Sequence, residues 1–591
     1  MNRALAWVVL SAALVAGCAG LKPDAAAEFD VLVADYEAFQ LEQNPVRAGR
    51  LGDLAAAARW PDVSEAAVDA RNAATKAFSN RLADIDPAAL EERQRVSHAV
   101  LEYLLRSEVE LAPFAPERMP FTNDDGFYSD PASLALSTRT PTVAEAEAWI
   151  ARIGAIPEYF AQRTAWLRRG LETGMVQPES ILAGVLEQLE QLAAAGGEDS
   201  LFLEPLKALP PQVPEAERAR LRAAALEAVE EHALPAYREL LAFFRDEYLA
   251  APRASVGISE VPGGRDYYRA LVRIHTTLDT TPEEVHQIGL DEVARIRGEM
   301  EAIIAGTGFE GSFAEFLQHL RSDPKFYARS EEELLMRAAW LAKRADDAMP
   351  RYFRKLPRLS YGVRPVPDSM APNYTTGRYW LGDLEGGVAG GYMVNTHALD
   401  QRPLYELPSL TVHEAVPGHH HQFALAQEIE EAPEFRRDAY ITAFSEGWGL
   451  YTEFLAIEMG LYDTPYDHFG RLTFEMWRAC RLVVDTGLHW FGWSVAQAEA
   501  CLLENSALAP HNVRTEVARY VSWPGQALAY KTGELLIRKL RAEAETSLGE
   551  RFDLRAFHDH LLEEGAMPLS ALEARMRTWI ERQARQRTAS R

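Results

Sequence analysis

One short stretch constrains the fold more than any other feature of the chain: His413-Glu414-Ala415-Val416-Pro417-Gly418-His419. It contains the two histidines and the glutamate of the H-E-x-x-H motif, in which histidines one helical turn apart bind one zinc ion and the glutamate activates water. Here the second histidine follows at i+6 instead of i+4. The stretch therefore needs a helix that is interrupted between its two histidines.

The spacing can be tested against helix geometry. On a straight helix, i+6 corresponds to about 600° of rotation, so the two side chains would point roughly 120° apart with about 9 Å of rise between them. A regular helix cannot bring both within about 2.0–2.1 Å of one zinc ion. Pro417 removes a backbone donor and clashes with the preceding turn, and Gly418 tolerates unusual dihedral angles. We therefore expect the helix to break here and His419 to return toward His413.

Two further histidines follow directly. His420 would share the face of His413, but it lies about 10.5 Å along the helix axis. His421 lies off that face. We prefer His419 as the second metal ligand and keep His420 as the competing one.

The third ligand is expected from an apolar, aromatic-rich segment, Ala443–Glu453. Open catalytic zinc sites keep three protein ligands and one free position. Glu446 lies in this segment, and an isolated buried carboxylate is costly unless it is paired or bound to a metal. A plain salt bridge is the alternative. Glu453, two turns later, is a candidate acceptor for the second ring nitrogen of a ligand histidine.

Four motifs between His413 and Gly533 carry a family resemblance: HEAVPGHHHQ, SEGWGLYTE, RLVVDTGLH and WPGQALAYKTG. The chain resembles, from roughly residue 30 to residue 580, a large bacterial family known as domain-of-unknown-function family 885. That family is similar to the helical gluzincin zinc peptidases, such as angiotensin-converting enzyme, thimet oligopeptidase and the thermostable carboxypeptidases. The resemblance implies a mainly α, gluzincin-like fold with a deep substrate cleft.

The resemblance also implies the roles of individual residues. One zinc ion per chain would be held by His413, His419 and Glu446, with Glu414 as general base. Helical gluzincins commonly use a tyrosine and a histidine from the C-terminal region as transition-state donors, and Tyr530 and His489 resemble these in role. A place in the hydrophobic core is the alternative for Tyr530.

Cationic side chains near the motifs are candidates for substrate binding. Arg481 and Asp485 are spaced i,i+4 and could pair with each other. Alternatively, Arg481 or Lys531 could hold a substrate carboxylate, since a guanidinium group suits bidentate carboxylate binding. Such a clamp would make the protein an exopeptidase that cuts at the C-terminus.

The segment 359–397 departs from the helical pattern and predicts a small β-sheet beside the zinc helix. Short strand-like runs at 360–363, 377–380 and 391–395 are separated by Gly, Pro and Asp. In gluzincins, a strand edge beside the zinc helix binds extended peptide. The run Tyr392–Asn395 is our candidate edge, with Asn395 as a substrate-binding residue. A purely structural sheet is the alternative.

Elsewhere, apolar residues recur with helical spacing. Thr281, Pro282 and Glu284 form a strong helix start, and Gly306 can close that helix. Similar periodicity predicts helices over 27–43, 88–111, 143–174, 181–195 and 216–249. The proline-rich stretch 209–214 is a turn between helices or a boundary between lobes.

Length and composition limit the class of protein. A chain of 591 residues can bury a large core, as one helical domain over residues 28–585 or as two lobes. The formal net charge of −26 disfavours binding of nucleic acid or anionic membrane by the body of the protein. Cys480 and Cys501 are expected as free thiols, with a disulfide as the alternative.

The N-terminus resembles a bacterial lipoprotein signal. Residues 1–17 have a basic start and an apolar run too short to span a membrane comfortably. Val15-Ala16-Gly17-Cys18 resembles a lipoprotein box in which Cys18 is lipidated, with residues 18–27 as a tether. Ala19, not Asp, follows the cysteine, which indicates the outer membrane, facing the periplasm. A plain cleavable signal is the alternative.

These features lead to one main functional hypothesis, a lipid-anchored zinc metallopeptidase whose partners are peptide substrates and the bacterial membrane. A metallohydrolase of non-peptide amides or esters would use the same site. A peptide-binding protein with impaired catalysis would explain the altered spacing. A histidine-rich helix start without metal is the purely structural alternative.

Overall fold

The computed structural model describes residues 24–251, 253–368, 370–430 and 432–585. The predictions for residues 1–17 and for Cys18 lie outside this part of the chain. The first helix begins at Ala25, so it includes the last three residues of the predicted tether. Within the described ranges, no helix is both long enough and apolar enough to cross a membrane.

The protein is mainly α-helical, as predicted. The α-helices of the described residues are α1 (Ala25–Gln43), α2 (Pro45–Arg50), α3 (Leu54–Ala57), α4 (Glu65–Ala83), α5 (Glu92–Leu111), α6 (Asp130–Ser137), α7 (Val143–Gly154), α8 (Ile156–Thr173), α9 (Glu179–Ala194), α10 (Glu215–Ala228), α11 (Leu234–Phe243), α12 (Gly264–Thr276), α13 (Pro282–Thr307), α14 (Phe313–Ser322), α15 (Glu331–Tyr352), α16 (Leu407–Glu414), α17 (His419–Gln427), α18 (Glu434–Asp438), α19 (Thr442–Glu458), α20 (Pro465–His489), α21 (Val495–Asn505), α22 (Pro510–Ser522), α23 (Ala529–Leu548), α24 (Leu554–Leu562) and α25 (Leu569–Arg585).

Helix α13 shows how local sequence sets these boundaries. The Thr281 hydroxyl accepts the Glu284 N–H at 3.2 Å, and the Glu284 carboxylate accepts the Thr281 N–H at 2.9 Å, which is the predicted capping box. The helix ends at Gly308, whose φ is +73°, and not at Gly306, which lies inside it. A left-handed residue after the last turn is the usual glycine stop, so the prediction placed this end one half-turn early.

Three strands form the predicted small sheet: β1 (Tyr361–Pro365), β2 (Gly377–Trp380) and β3 (Gly390–Val394). The strand order is β1-β3-β2, with β1 parallel and β2 antiparallel to β3. The prediction that Tyr392–Asn395 forms an edge is therefore wrong. Strand β3 is buried along its whole length, as its small and apolar residues allow, and β2 is the edge that borders Glu414.

Two large hydrophobic clusters meet at the stretch His413–His419. Ala415 belongs to one cluster, while Val412 and Val416 belong to the other. The motif is consequently held by both halves of the core. Cys480 and Cys501 are both free thiols, and no disulfide joins them.

Helices α19 and α23 approach each other closely enough to require glycine. A Cβ atom added at Gly447 would lie 2.5 Å from the Cα of Gly533, and one added at Gly533 would lie 1.9 Å from the Ala443 carbonyl oxygen. This contact locks the SEGWG motif to the AYKTG motif. It therefore fixes the distance between Glu446 on α19 and Tyr530 on α23.

Candidate metal centre

The helix breaks inside the motif, as the sequence predicts. Helix α16 ends at Glu414 and α17 begins at His419, and the backbone of Ala415 and Gly418 between them is not helical. A Cβ atom at Gly418 would lie only 1.9 Å from the carbonyl oxygen of His413. Glycine is thus needed for the second helix to fold back against the end of the first.

Helix α19 holds this junction in place from the other side. The Trp448 indole N–H donates to the Pro417 carbonyl at 2.8 Å, and the Thr452 hydroxyl donates to the Val412 carbonyl at 3.1 Å. A Cβ atom at Gly449 would lie 2.7 Å from Cε1 of His413. The SEGWGLYTE motif therefore both supports the break and makes room for the first histidine.

His413, His419 and Glu446 converge, each offering one ligand atom, with these atoms within 4.8 Å of one another. Nε2 of His413 lies 3.3 Å from Oε2 of Glu446, and Nε2 of His419 lies 3.5 Å from the same oxygen. Ligands at about 2.1 Å from a tetrahedral zinc ion lie about 3.4 Å apart. Two nitrogens and a carboxylate at these separations fit a zinc ion.

The other two histidines lie outside the cluster. Nδ1 of His420 bonds the Tyr379 hydroxyl at 3.1 Å, and its Nε2 bonds the Leu359 carbonyl at 3.1 Å. His421 is fully buried against Phe353, with ring centroids 4.5 Å apart. The structure thus brings His419, and not the competing His420, to the cluster.

Glu453 takes the supporting position expected for it. Its Oε1 lies 2.9 Å from Nδ1 of His413 and 3.5 Å from Nη2 of Arg478. A histidine that donates through Nδ1 presents Nε2 to a metal. The corresponding atom of His419, Nδ1, is buried and has no hydrogen-bond partner among the described residues.

The electrostatics of the cluster favour a cation. Burial lowers the pKa of His413, but its hydrogen bonds to Glu446 and Glu453 outweigh this and raise the pKa to about 10. Burial raises the pKa of Glu446, but His419 and His413 outweigh it and hold the pKa well below its usual value. Two buried carboxylates therefore require positive charge between them, which a bound dication would supply.

Glu414 lies at the end of α16, next to the ligands but outside the cluster. Its Oε2 accepts a hydrogen bond from the Tyr379 N–H of β2 at 2.7 Å. Its other oxygen has no hydrogen-bond partner in the described part of the chain. The side chain is thus fixed by one oxygen and free to accept a proton with the other.

One tyrosine contacts the cluster, and a second lies on α23, the helix that packs against α19. Tyr530 lies beneath the guanidinium group of Arg481, 4.2 Å from its ring centroid, and its hydroxyl accepts from Arg519 at 3.2 Å. The Tyr440 hydroxyl donates to Oε1 of Glu446 at 2.9 Å. Sequence reasoning missed Tyr440, although its place six residues before Glu446 was a usable signal.

Two predicted site residues have their polar atoms engaged by backbone. His489 is fully buried; Nδ1 accepts from the Ile258 N–H at 3.1 Å and Nε2 donates to the Tyr520 carbonyl at 2.8 Å. A transition-state donor needs a free N–H, so this geometry does not suit His489. Asn395 is also fully buried, and its amide nitrogen donates to three carbonyls in the segment 371–375. It supports the loop before β2 and does not face a substrate.

Lys531 does not fit the role of a substrate clamp. It is fully buried, and its Nζ lies 3.0, 2.9 and 2.8 Å from the carboxylates of Glu292, Glu475 and Glu534. These three carboxylates neutralise the charge of Lys531, so that it is not available to a substrate. Because helix spacing alone does not show what faces a side chain, the sequence could not reveal this network.

Arg481 is committed to an internal ion pair as well. Its Nη2 donates to Glu516 at 2.9 Å and its Nε donates to the Tyr520 hydroxyl at 2.9 Å. It does not pair with Asp485, whose carboxylate accepts from the Tyr268 hydroxyl and the Gly525 N–H. Arg481 instead supports the ring of Tyr530.

Fold and site together define a mainly helical protein that carries a candidate His-His-Glu metal site. The chain belongs to the family described as "Bacterial protein of unknown function (DUF885)", whose model matches residues 45–576. No protein with a curated description matches the chain.

Two solved structures are similar along nearly the whole chain. A candidate lipoprotein from Colwellia psychrerythraea is 28% identical, with a TM-score of 0.86, and the match covers 94% of this chain and 99% of that one. A candidate lipoprotein of unknown function from Shewanella oneidensis is 18% identical, with a TM-score of 0.71, over 93% of this chain and 99% of that one. The second match shows a shared fold.

Proposed function

We propose that this protein is a zinc-dependent hydrolase and, more specifically, a metallopeptidase that acts as an oligopeptidase or carboxypeptidase. The observation that carries the proposal is the convergence of His413, His419 and Glu446 beside Glu414. The inserted residues of the motif do not argue for impaired catalysis, because the helix break restores a compact set of ligands.

Each residue has a distinct task in this proposal. His413, His419 and Glu446 would hold one zinc ion, which when bound would polarise the substrate carbonyl and acidify water. Glu414 acts as general base, because the Tyr379 N–H holds one carboxylate oxygen and leaves the other to accept a proton from the attacking water. The same carboxyl group then delivers that proton to the leaving amine.

Tyr530 supplies stabilisation of the oxyanion. Its hydroxyl oxygen accepts from Arg519, which leaves its own proton free to donate to the negative charge that develops on the carbonyl oxygen. Tyr440 supports Glu446, because its hydroxyl already donates to that carboxylate. Tyr530 therefore takes the donor role without His489.

Strand β2 supports the preference for peptides. The Tyr379 N–H points to Glu414 and away from β3, and the carbonyl of a strand residue points to the same side as its N–H. An extended substrate could therefore align along this free edge, with its backbone beside the general base. A non-peptide amide or ester would not use this edge.

The proposed location is the bacterial outer membrane, facing the periplasm, with the chain anchored through lipidated Cys18. Its support is the lipoprotein-like sequence at 15–18 and the description of two structural relatives as candidate lipoproteins. Fractionation of cells that express the full chain or a Cys18→Ser chain tests this location. Recovery of both chains in the soluble fraction would contradict it.

Metal analysis of the full chain in mild detergent tests the function. We expect about one zinc per chain, lost in His413→Ala, His419→Ala and Glu446→Ala but kept in the matched control His420→Ala. Glu414→Gln should keep the zinc, because the amide oxygen can still accept from Tyr379, while peptide hydrolysis falls by roughly 10²–10⁴-fold. Absence of metal, or metal unaffected by these changes, would overturn the proposal.

A further inference from the structure

Arg378 is an exposed cation with no carboxylate partner. It lies on β2, and no carboxylate oxygen of the described residues lies within 4.0 Å of its guanidinium group, which sits 5.6 Å from the ring centroid of Tyr374. The chain has 87 acidic residues and only 61 lysines and arginines, so an unpaired arginine is not a consequence of composition.

The position of Arg378 ties it to the candidate site. Its neighbour Tyr379 donates the N–H that fixes Glu414. Desolvation opposes the charge of Arg378, but Tyr374, Glu414 and Tyr530 outweigh it and raise the pKa. Arg378 therefore lies on the strand that borders the general base, one residue from the N–H group that fixes it.

Arg519 provides a second cation, which contacts the proposed hydroxyl donor Tyr530. Its Nη2 donates to the Tyr530 hydroxyl at 3.2 Å and to Gln526 at 2.6 Å. Its carboxylate contact is a long one, 3.6 Å to Glu516, whose other oxygen is held by Arg481 at 2.9 Å. Arg519 therefore shares the carboxylate of Glu516 with Arg481 and turns its Nη2 toward Tyr530.

Two tryptophans border these arginines in the sequence. Trp380 follows Arg378 by two residues and is 36% exposed, and Trp523 follows Arg519 by four residues and is 44% exposed. Tryptophan and arginine side chains are enriched where proteins bind their partners most strongly. The surface around Arg378 therefore offers both charge and apolar contact to a ligand.

We propose that Arg378, assisted by Arg519, binds a carboxylate group of the substrate close to the bond that is cleaved. The substrate class is then peptides with a carboxylate near the scissile bond, supplied either by the chain terminus or by an Asp or Glu side chain. Cleavage near the carboxylate rests on the proposed hydrolase function, whereas binding of the carboxylate by Arg378 does not depend on it. A guanidinium fork on the strand edge is suited to such a group.

The experiment uses two N-acetylated hexapeptide mixtures of random sequence, one with a free C-terminal carboxylate and one with a C-terminal amide. Retention of each mixture on immobilised full-length Glu414→Gln protein is measured by mass spectrometry, and cleavage by the unmodified chain is followed in parallel. We expect carboxylate-bearing peptides to be retained about 10- to 100-fold better than matched neutral ones, as for a hydrogen bond to a charged group.

The two mixtures distinguish the sources of the carboxylate. Preference for the free acid, with cleavage at a fixed distance from the C-terminus, identifies the terminal group. Equal retention of both mixtures, with enrichment of Asp or Glu at one position, identifies a side chain. Equal retention without acidic enrichment, or no retention at all, overturns the proposal that Arg378 binds a carboxylate. If peptides are still cleaved in that case, the proposed hydrolase function stands.

Substitutions distinguish carboxylate binding by Arg378 from a general effect of positive charge on the sheet. Arg378→Gln should abolish the carboxylate preference, and Arg378→Lys should keep only part of it because the ammonium group cannot bind in two-pronged fashion. Arg364→Gln is the matched control, since Arg364 is an exposed arginine on β1, the opposite edge strand of the same sheet. An equal loss in the Arg364 and Arg378 variants would overturn the assignment.

Discussion

Glu453 is a buried carboxylate that binds no metal in our proposal and yet determines how His413 can act. Its oxygen lies 2.9 Å from Nδ1 of His413, and its side chain is 1% exposed. Such partners fix the tautomer and the orientation of a ligand histidine. The contribution of Glu453 should therefore appear in metal affinity more than in the fold.

Replacement of Glu453 by glutamine tests this role. We expect Glu453→Gln to weaken zinc binding by about 10- to 100-fold, because a neutral amide is a poorer acceptor for the imidazole N–H. Competition with a chelator measures the affinity. The control is Glu458→Gln on the same helix, where the carboxylate pairs with Arg541 near the surface. Equal affinity in both variants would show that Glu453 does not orient His413.

At the scale of elements, the junction between α16 and α17 is the least replaceable part of the site. It depends on Gly418, which lies against the carbonyl oxygens of the preceding helix. It also depends on α19, whose Trp448 bonds the Pro417 carbonyl. The junction and α19 are separate in sequence, and both are needed to position His413 and His419.

Gly418→Ala should disrupt both stability and metal binding. The added Cβ would lie 1.9 Å from the His413 carbonyl oxygen, and the junction must open to accommodate it. We expect a loss of roughly 3 kcal/mol in the free energy of unfolding, together with loss of zinc. Thermal melting and metal analysis measure the two effects.

Gly298→Ala serves as the control for that substitution. A Cβ atom at this position in α13 meets no other atom within 4 Å, and alanine favours a helix by roughly 1 kcal/mol relative to glycine. The variant should melt at the same temperature as the unmodified chain or higher. If Gly418→Ala behaved in the same way, the junction would not require glycine.

For the molecule as a whole, the features that the sequence predicts are those encoded by neighbouring residues. The capping box of α13, the three strands between 359 and 397, and the helix break at Pro417 each depend on a few adjacent positions. The convergence of His413, His419 and Glu446 also follows from the sequence, because these three residue types commonly bind one metal ion together.

The predictions that do not fit the structure concern burial and strand order, which adjacent residues do not determine. Lys531 looked available in the sequence, but three carboxylates from distant segments surround it. Asn395 follows the central strand of the sheet, and nothing local shows which strand is the edge. The sequence did not indicate Arg378 as a binding residue for the same reason, since its proposed role depends on β2 lying beside Glu414.

Stability of the whole molecule should depend on pH through Asp485, which is distant in sequence from the metal ligands. Burial raises the pKa of Asp485 to about 7 from the ordinary value of 3.8, although hydrogen bonds from Tyr268 and Gly525 oppose this. Between these two values the folded state holds a proton that the unfolded state has released. Protonated Asp485 therefore stabilises the folded state fully below pH 3.8, and this stabilisation is lost as the pH rises to about 7.

Asp485→Asn removes this titration and should flatten the pH dependence. The rise of about three pKa units corresponds to at most roughly 4 kcal/mol between acidic and neutral pH. We expect the melting temperature of the variant, relative to that of the unmodified chain, to be higher at pH 8 than at pH 5. The difference between the two chains isolates Asp485 from every other titrating group. Because Gly525 precedes Tyr530 by only five residues, a melting difference independent of pH would indicate instead that Asp485 acts through the position of this turn alone.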